Sequence, residues 1–592
     1  MNDSTHLFHI PVMGTGFTID TPLRVAKYGI SSVIPLVDDV LVEQVRKFHC
    51  EKHGEPYEEI SNSNQDARAL RITAYLNLVD RLVQQQVVTL QASPFEEGSD
   101  IRRYFELLPE TPLKQAYNEM LATTSGAAKG RMQADLRQQA VPGSIDVNIM
   151  TKLDRDIYRD GNKLAAEFAD AMAALRGFAN STLHSSVVFS AGINQRLYTY
   201  AATFDDFFPD KNGELKKKII LKVSDYRSAS VQGRFLAKRG LWVSEYRVES
   251  GLNCGGHAFP TDGYLLGPVL EEFKEKRQEL LETLHTTYTK ALAGRGLSVN
   301  HEPHEVSITV QGGIGTAVEN EFMLRYYLVD RTGWGTPFLL VPEVTNVDNG
   351  HLEKLLAATD GDVYLSDSSP LGVPFWNLRT SASEETRRRY IREGKPGSPC
   401  VKGAARLNTE FTDTPICPSS RAYIKRKLQH LPEEGLSEEQ LAAVKDSVLS
   451  KSCICHDLGG GTALKYGIDP AATPSICCGP GILDFRKIST LEDMVAHIYG
   501  RLSLISNNDR PHMFIRELVL YIDQLRKESK NFSLKLSFRT PGYFHKFKEN
   551  LLAGIEYYHG LAGKFIEEQR KQFLVDLKVL QDEIENIALP EK

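Results

Sequence analysis

The chain contains 592 residues, of which 41% are hydrophobic and 25% are charged, a composition typical of globular proteins. The formal net charge is −6, which argues against a protein that binds nucleic acid through a basic surface. No run approaches the roughly 20 apolar residues that cross a bilayer, and the N-terminus lacks the pattern of a secretory signal. Eight cysteines are too few for a disulfide framework. These features predict a cytoplasmic protein without a membrane or nucleic-acid partner.

Apolar runs alternate with helical patterns over the first 350 residues. A strand followed by a helix, repeated, favours a parallel sheet that is buried on both faces. Eight such repeats predict a closed (β/α)₈ barrel, which we assign to residues 1–50 and 141–380. The eight predicted strands lie within residues 8–17, 30–37, 145–150, 185–192, 218–225, 243–249, 306–313 and 335–343.

The rest of the chain is predicted to be mainly helical. Residues 51–140 are a polar helical insertion, either a lid or interaction surface or a bundle packed beside the barrel with no direct role. Residues 381–484 form a Cys-rich extension with six of the eight cysteines. Residues 485–592 form a helical C-terminal region. In its last helix, apolar residues from Phe565 to Ile587 recur at near-helical spacing, which is typical of a face that packs on the core.

Two glycine-rich turns occupy the places where barrels of this type bind phosphate, the loops after strands seven and eight. Gly312-Gly313-Ile314-Gly315 ends the seventh run, and Gly333-Trp334-Gly335-Thr336 opens the eighth. Glycine lets backbone N–H groups approach phosphate oxygens closely. Either sequence alone is also compatible with a tight turn, but the pair predicts a phosphate site. The sequence Gly459-Gly460-Gly461-Thr462 lacks the Lys-Ser/Thr pair of a Walker motif, so we do not expect a triphosphate site.

His257 is the candidate for proton transfer. It follows Gly255 and Gly256 after the sixth run, at a strand end that a planar ligand can approach. Histidine suits proton transfer near neutral pH. A single histidine in such a loop is also common as a structural residue.

Four short blocks together resemble a known family. They are Pro11-Val12-Met13-Gly14, Gly255-Gly256-His257, Gly312-Gly313-Ile314 and Gly335-Thr336-Pro337-Phe338 with Glu343. In this order they are similar to the markers of the nitronate monooxygenase family of FMN-dependent barrels. That group includes flavin-dependent enoyl reductases that act on acyl carrier protein and trans-acting enoyl reductases of polyunsaturated fatty acid synthases. The resemblance covers about residues 8–380, apart from the insertion.

The resemblance implies FMN as the cofactor and a role for individual residues. Asn148 would hydrogen-bond the flavin, Lys222 would lie near its N1/O2 edge, and His257 would face the ring as the proton-handling residue. The implied cofactor-binding residues are Met13, Gly14, Asn148, Lys222, Gly255 and Gly256 at the ring, and Gly312, Gly313, Gly335 and Thr336 at the phosphate.

Departures from the family pattern leave the substrate open. Cys254 precedes the glycine pair where the family has a small inert residue, Pro337 replaces an arginine, and the chain is much longer than usual. We therefore predict an oxidoreductase that either oxidises a nitronate-like substrate or reduces an enoyl or acyl-type one. An electron donor or a second copy of the chain is a possible partner. The alternative is a flavin-barrel scaffold without catalysis, or an accessory subunit of an acyl-chain synthase complex.

The clustered cysteines are candidate metal ligands. Close pairs such as Cys-x-Cys supply zinc or iron–sulfur ligands economically, but the spacing matches no common ferredoxin pattern. The alternative is a group of buried or redox-active thiols without metal. The candidate ligands are Cys400, Cys417, Cys453, Cys455 and Cys478.

Overall fold

The computed structural model describes residues 5–124, 126–190, 192–253, 256–258, 261–297, 302–399, 402–507, 509–564 and 567–591, apart from the side chains of residues 567 and 568. Eight parallel strands form a closed barrel in which each strand pairs with the next and the last pairs with the first. The predicted barrel fold is therefore confirmed. The strands are β1 (Phe8–Ile10), β2 (Ser31–Pro35), β3 (Ile145–Met150), β4 (Ser185–Ser190), β5 (Lys217–Val223), β6 (Val243–Glu249), β7 (Ser307–Gln311) and β8 (Arg331–Gly333).

The barrel strands are apolar because both of their faces are covered. Neighbouring strands place β-branched side chains side by side, as in the partner pairs Val147 with Val187 and Val188 with Ile220. All four of these side chains are buried. Such side chains fit a pleated surface that is packed on both faces, so they stabilise the parallel ladder.

The eighth strand is not where we predicted it. The predicted run 335–343 contains no strand; the strand is Arg331–Gly333, and Thr336–Leu340 is a 3₁₀ helix. Every residue of that helix is buried. A continuous apolar run indicates burial but does not distinguish a strand from a buried helical turn. Gly335 and Thr336 therefore follow the eighth strand instead of opening it.

Helices surround the barrel and connect its strands. Two end at glycines with positive φ, Gly29 and Gly54, as C-caps commonly do. The helices that follow the strands are Pro22–Val25, Asp39–His53, Asp170–Ala179, Gln195–Ala201, Tyr226–Ala237, Leu266–Gly294, Ala317–Arg325 and Asn349–Leu356, with 3₁₀ turns at Ala26–Tyr28, Ala166–Phe168 and Asp205–Phe207.

The segment 51–140 packs beside the barrel. Its longest helix, Ala67–Ala92, is held against loops of the barrel by side-chain bonds to main-chain oxygens. Tyr75 donates to the Ile19 oxygen at 2.8 Å, and Arg68 donates to the Leu36 oxygen at 2.8 Å. The other helices of this segment are Asp100–Leu107, Pro112–Ala122 and Ala127–Gln139.

The C-terminal 240 or so residues contribute a small sheet and many helices. Strands Val363–Ser366 and Phe375–Leu378 are antiparallel, and Phe375–Leu378 also pairs with Gly256–His257 from the loop after β6. A separate hairpin pairs Tyr158–Arg159 with Asn162–Lys163. The helices are Ala382–Arg392, Arg421–His430, Glu438–Ser450, Ile454–Asp457, Gly460–Lys465, Leu491–Ile498, Met513–Ser533, Pro541–Leu561 and Glu567–Glu585, with 3₁₀ turns at Leu431–Glu433, Pro480–Asp484 and Ala562–Lys564.

The last helix packs on the core as predicted. Phe573, Leu577, Leu580 and Ile584 are buried, whereas Phe565 lies outside the described residues. Among the described residues, no helix combines the length and the apolar composition that a membrane span needs.

Glycines let the extension approach the loop after β1 closely. A Cβ on Gly16 would lie 2.8 Å from Thr462 Oγ1 and 2.9 Å from Gly459 Cα. The Thr462 hydroxyl donates to the Gly16 oxygen at 2.9 Å. Gly461 lies in the helix Gly460–Lys465, and a Cβ on it would lie 2.7 Å from the Asn346 main-chain oxygen. The helix Gly460–Lys465 thus packs directly on backbone that belongs to the barrel loops.

We expect Gly16→Ala to lower the free energy of unfolding by about 1–3 kcal/mol, because the added methyl group overpacks this contact. Urea-induced unfolding measures the change. Gly130→Ala is the matched control, since Gly130 is exposed within the helix Ala127–Gln139 and a Cβ there meets nothing within 4 Å. The control should be neutral or slightly more stable. Equal stability of Gly16→Ala and wild type would contradict the close contact.

Candidate functional site

The carboxyl ends of the strands open into a cavity of about 910 Å³, solvent at its mouth included, which we call the ring cavity. In (β/α)₈ barrels this end of the strands carries the functional residues. Its floor is formed by strand ends and the loops that follow them: Val12, Gly14, Thr15, Pro35, Val37, Asn148, Met150, Leu153, Ser190, Lys222, Glu249, Asn253, Gly256 and His257.

Two buried polar side chains on this floor have no hydrogen-bond partner. The Asn148 side chain is 5% exposed and its Oδ1 is unpaired. Thr15 Oγ1 is also buried and unpaired. A buried polar group without a partner costs free energy, so such groups at a cavity wall indicate a polar ligand.

Lys222 forms an ion pair within the cavity. Its Nζ lies 2.8 Å from Glu249 Oε1, which also accepts a hydrogen bond from Gln311 Nε2 at 2.8 Å. Because the carboxylate balances the ammonium group, the pair adds polarity without a net charge. Both side chains keep part of their surface exposed to the cavity.

His257 is held in place by the small sheet. It pairs with Phe375, and its ring lies edge-on to the Phe375 ring with centroids 5.2 Å apart. Its Nε2 lies 2.7 Å from Ser369 Oγ, and the Asn253 amide donates to its main-chain oxygen. Burial, together with the nearby ammonium groups of Lys152 and Lys222, lowers the pKa of His257 to about 4. His257 is therefore neutral at neutral pH.

The roof of the ring cavity comes from residues 369–375 and from the Cys-rich extension, and no described residue of the segment 51–140 lines it. Cys455 and Cys477 contribute thiols, and burial raises the pKa of Cys477 to about 12. The rest of the roof is mainly apolar: Pro370, Leu371, Phe375, Ala405, Ile454 and Leu458, with Ser369 beside them. Another part of the chain, and not the insertion, therefore covers the ring cavity.

A second cavity of about 440 Å³, the glycine cavity, lies between the loops after β7 and β8. Gly312, Gly313 and Gly335 line it, and their N–H groups have no acceptor among the described residues. Gly312 and Gly313 have φ of 103° and 84°, a conformation that favours glycine. Buried backbone donors are almost always paired, so a group of unpaired ones predicts an anion.

The two cavities adjoin. Asn253 lines both of them. On the opposite wall the chain passes from Cys477 in the ring cavity to Gly479 in the glycine cavity within two residues. The two cavities are therefore neighbours on either side of Asn253.

The structure brings most of the predicted cofactor residues together. Gly14, Asn148, Lys222, Gly256 and His257 line the ring cavity, and Gly312, Gly313, Gly335 and Thr336 line the glycine cavity. Met13 is an exception, because it is fully buried in the core and lines neither cavity. Gly255 and Cys254 lie outside the described residues.

The predicted metal ligands do not gather into a site within the described part of the chain. No three His, Cys, Asp or Glu side chains there are placed to share a metal ion. Cys455 lines the ring cavity, whereas Cys453 and Cys478 are buried and Cys417 lies 3.1 Å from Ser419 Oγ. Cys400 lies outside the described residues.

Sequence reasoning missed several residues of the site. Thr15, Glu249, Asn253 and Ser369 were not selected, although Glu249 ends a predicted strand and Asn253 adjoins the Gly255-Gly256-His257 block. The turn Gly479-Pro480-Gly481 and Arg516 also line the glycine cavity. Gly-Pro-Gly signals a turn, but nothing in its sequence indicates which loop it contacts.

No protein-family model matches the chain, and neither does any curated protein. Among solved structures, the chain is similar to the enoyl reductase domain of MlnA from the macrolactin biosynthesis cluster of Bacillus amyloliquefaciens. The identity is 14%, the match covers 64% of this chain and 86% of that chain, and the TM-score is 0.32. This likeness is too low to support an argument about function. The fold class is defined by the barrel itself, and the resemblance to nitronate monooxygenases stays a prediction.

We expect the free energy of unfolding to decrease as the pH falls from about 6.5 to about 4. The unfolded chain binds a proton on His257 in this range and the folded chain does not; above pH 6.5 neither form binds it, so the contribution vanishes. Urea-induced unfolding at several pH values measures the slope. His257→Gln should reduce this slope but not abolish it. His6 and His512, whose burial also lowers the pKa to about 4, still contribute to the slope in the variant. An unchanged slope in the variant would contradict the lowered pKa.

Proposed function

We propose that the protein is an FMN-dependent oxidoreductase. The observation that carries this proposal is the set of unpaired backbone N–H groups at Gly312, Gly313 and Gly335, in a cavity that adjoins a larger one at the barrel mouth. A phosphate group accepts hydrogen bonds from such donors, and the larger cavity offers polar side chains at the carboxyl ends of the strands.

The residues of the site fit this cofactor in chemical type. The glycine N–H groups would hold the phosphate. Asn148 and Thr15 would pair their buried polar atoms with the heteroatoms of the ring. Lys222, held in place by Glu249, would donate a hydrogen bond to the ring edge that becomes negative on reduction.

FMN, when bound, supplies a ring that accepts or donates a pair of electrons. His257 is neutral at neutral pH and can accept a proton from a substrate carbon or hold a substrate oxygen. Ser369 orients the imidazole through its contact with Nε2. The apolar roof limits the access of water to the reacting groups.

The substrate is proposed only as a class. A nitronate-like substrate carries negative charge on its oxygens, and an enoyl or acyl-type substrate gains such charge as hydride adds. A neutral histidine and a lysine can donate hydrogen bonds to either oxygen. A small apolar substituent suits the roof of Leu371, Ile454 and Leu458. Reduction would also need an electron donor, and oxidation would need an electron acceptor such as dioxygen.

Binding of FMN is the first test. We expect the protein to bind added FMN stoichiometrically, with the two visible absorption bands of oxidised flavin shifted and the flavin fluorescence changed by the protein environment. Titration followed by gel filtration measures the stoichiometry. A protein that elutes from gel filtration without flavin, after incubation with saturating FMN, would exclude the proposal and favour a scaffold without cofactor.

Turnover tests the role of His257. We expect His257→Gln to bind FMN like the wild type but to lower kcat/KM by about 100-fold or more, because glutamine can neither accept nor supply a proton. Short-chain alkyl nitronates and enoyl thioesters are first tested with the wild type. The variant is then assayed with the substrate that the wild type turns over. His184→Gln is the control, since His184 lies at the opposite, amino-terminal end of the barrel strands. Equal turnover by His257→Gln and wild type would remove His257 from the reaction.

A further inference from the structure

We propose that Arg516 and the turn Gly479-Pro480-Gly481 form a third anion-binding element, which binds the phosphomonoester end of the ligand from outside the barrel. The inference rests on the proposed FMN function and adds residues that come from the C-terminal part of the chain. The walls of the glycine cavity then come from the loops after β6, β7 and β8 and from this element.

The charge of the glycine cavity supports an anion. Arg516 is its one basic lining residue among the described residues, and no described carboxylate lines it. The remaining polar lining consists of backbone groups, Asn253 and Thr336. A phosphate in this cavity would therefore meet donors on several sides and no like charge.

Arg516 is oriented by a buried carboxylate. Its Nη1 and Nη2 each donate to Asp484 at 2.7 Å, and Asp484 is fully buried. A guanidinium group has five N–H bonds, so a fork of this kind leaves three for a second acceptor. Asp484 thus fixes the plane of the guanidinium group while Arg516 still lines the cavity.

The same carboxylate connects Arg516 to the glycine turn after β7. Arg510 pairs with two carboxylates: its Nε lies 3.0 Å from Asp484 Oδ2, and its Nη1 lies 2.6 Å from Glu319 Oε1. Glu319 in turn accepts hydrogen bonds from the N–H groups of Gly315 and Thr316 at 2.9 and 3.2 Å. The chain of ion pairs therefore fixes the position of Arg516 relative to Gly312 and Gly313.

The turn adds one more donor. The Gly479 N–H donates to Thr336 Oγ1 at 3.4 Å, which attaches the turn to the loop after β8. Gly481 also lines the cavity. Its N–H belongs to the first turn of the 3₁₀ helix Pro480–Asp484, where such groups have no intrahelical acceptor.

The test compares FMN with riboflavin, which has the same ring but lacks the phosphate. Flavin fluorescence titration gives the affinity of each for wild type and for Arg516→Gln. We expect the variant to bind FMN about 10- to 100-fold more weakly, because it loses a hydrogen bond between charged groups, and to bind riboflavin as the wild type does. Arg486→Gln is the control, because Arg486 is exposed, bonds the Ala358 oxygen and does not line the cavity.

The outcomes separate this inference from the proposed function. If the wild type binds neither flavin, the proposed function fails. If the wild type binds FMN and riboflavin equally, the glycine cavity is not a phosphate site and the inference fails with it. If the wild type prefers FMN and Arg516→Gln keeps that preference undiminished, only the inference fails.

Arg516→Gln removes one of the two arginines that pair with the buried Asp484, which puts folding of the variant at risk. A second measurement therefore uses the wild type alone. An arginine-specific dicarbonyl reagent is applied to the wild type, and modified residues are mapped by mass spectrometry. We expect FMN to protect Arg516 and riboflavin to protect it much less. Equal modification of Arg516 with and without FMN would overturn the inference.

Discussion

The site depends on one constraint, the need of buried backbone N–H groups for an acceptor. Gly312, Gly313 and Gly335, in the turns after β7 and β8, line one small cavity, and their N–H groups have no acceptor among the described residues. The positive φ of Gly312 and Gly313 is what makes this backbone path possible. A Cβ on Gly312 would also lie 2.8 Å from Asn253 Cα, so the turn and the loop after β6 are packed against each other through this glycine.

The C-terminal part of the chain completes the site that the barrel begins. It provides the roof of the ring cavity and one wall of the glycine cavity. Its attachment to the barrel is backbone against backbone at Gly16 and Gly461, and through ion pairs at Glu319 and Asp484. A barrel without this region would have an open mouth, which explains why a chain much longer than one barrel serves one site.

The sequence predicted the barrel because its strands are continuous apolar runs, and the first seven lie within or overlap the predicted ranges. The eighth strand was missed because it is only three residues long, Arg331–Gly333, and its position is set by pairing with β1 and β7. Asn148, Lys222 and His257 could be predicted because strand ends meet at one end of a barrel. Arg516 and Gly481 could not, because their contacts join segments about 150 residues or more apart, and no local pattern encodes them.

A crystal structure determined with saturating FMN tests the central claim most directly. The account predicts that the phosphate oxygens lie within hydrogen-bonding distance of the Gly312, Gly313 and Gly335 N–H groups, with the ring beside Asn148. Both cavities without flavin density, or a flavin bound elsewhere on the protein, would contradict it.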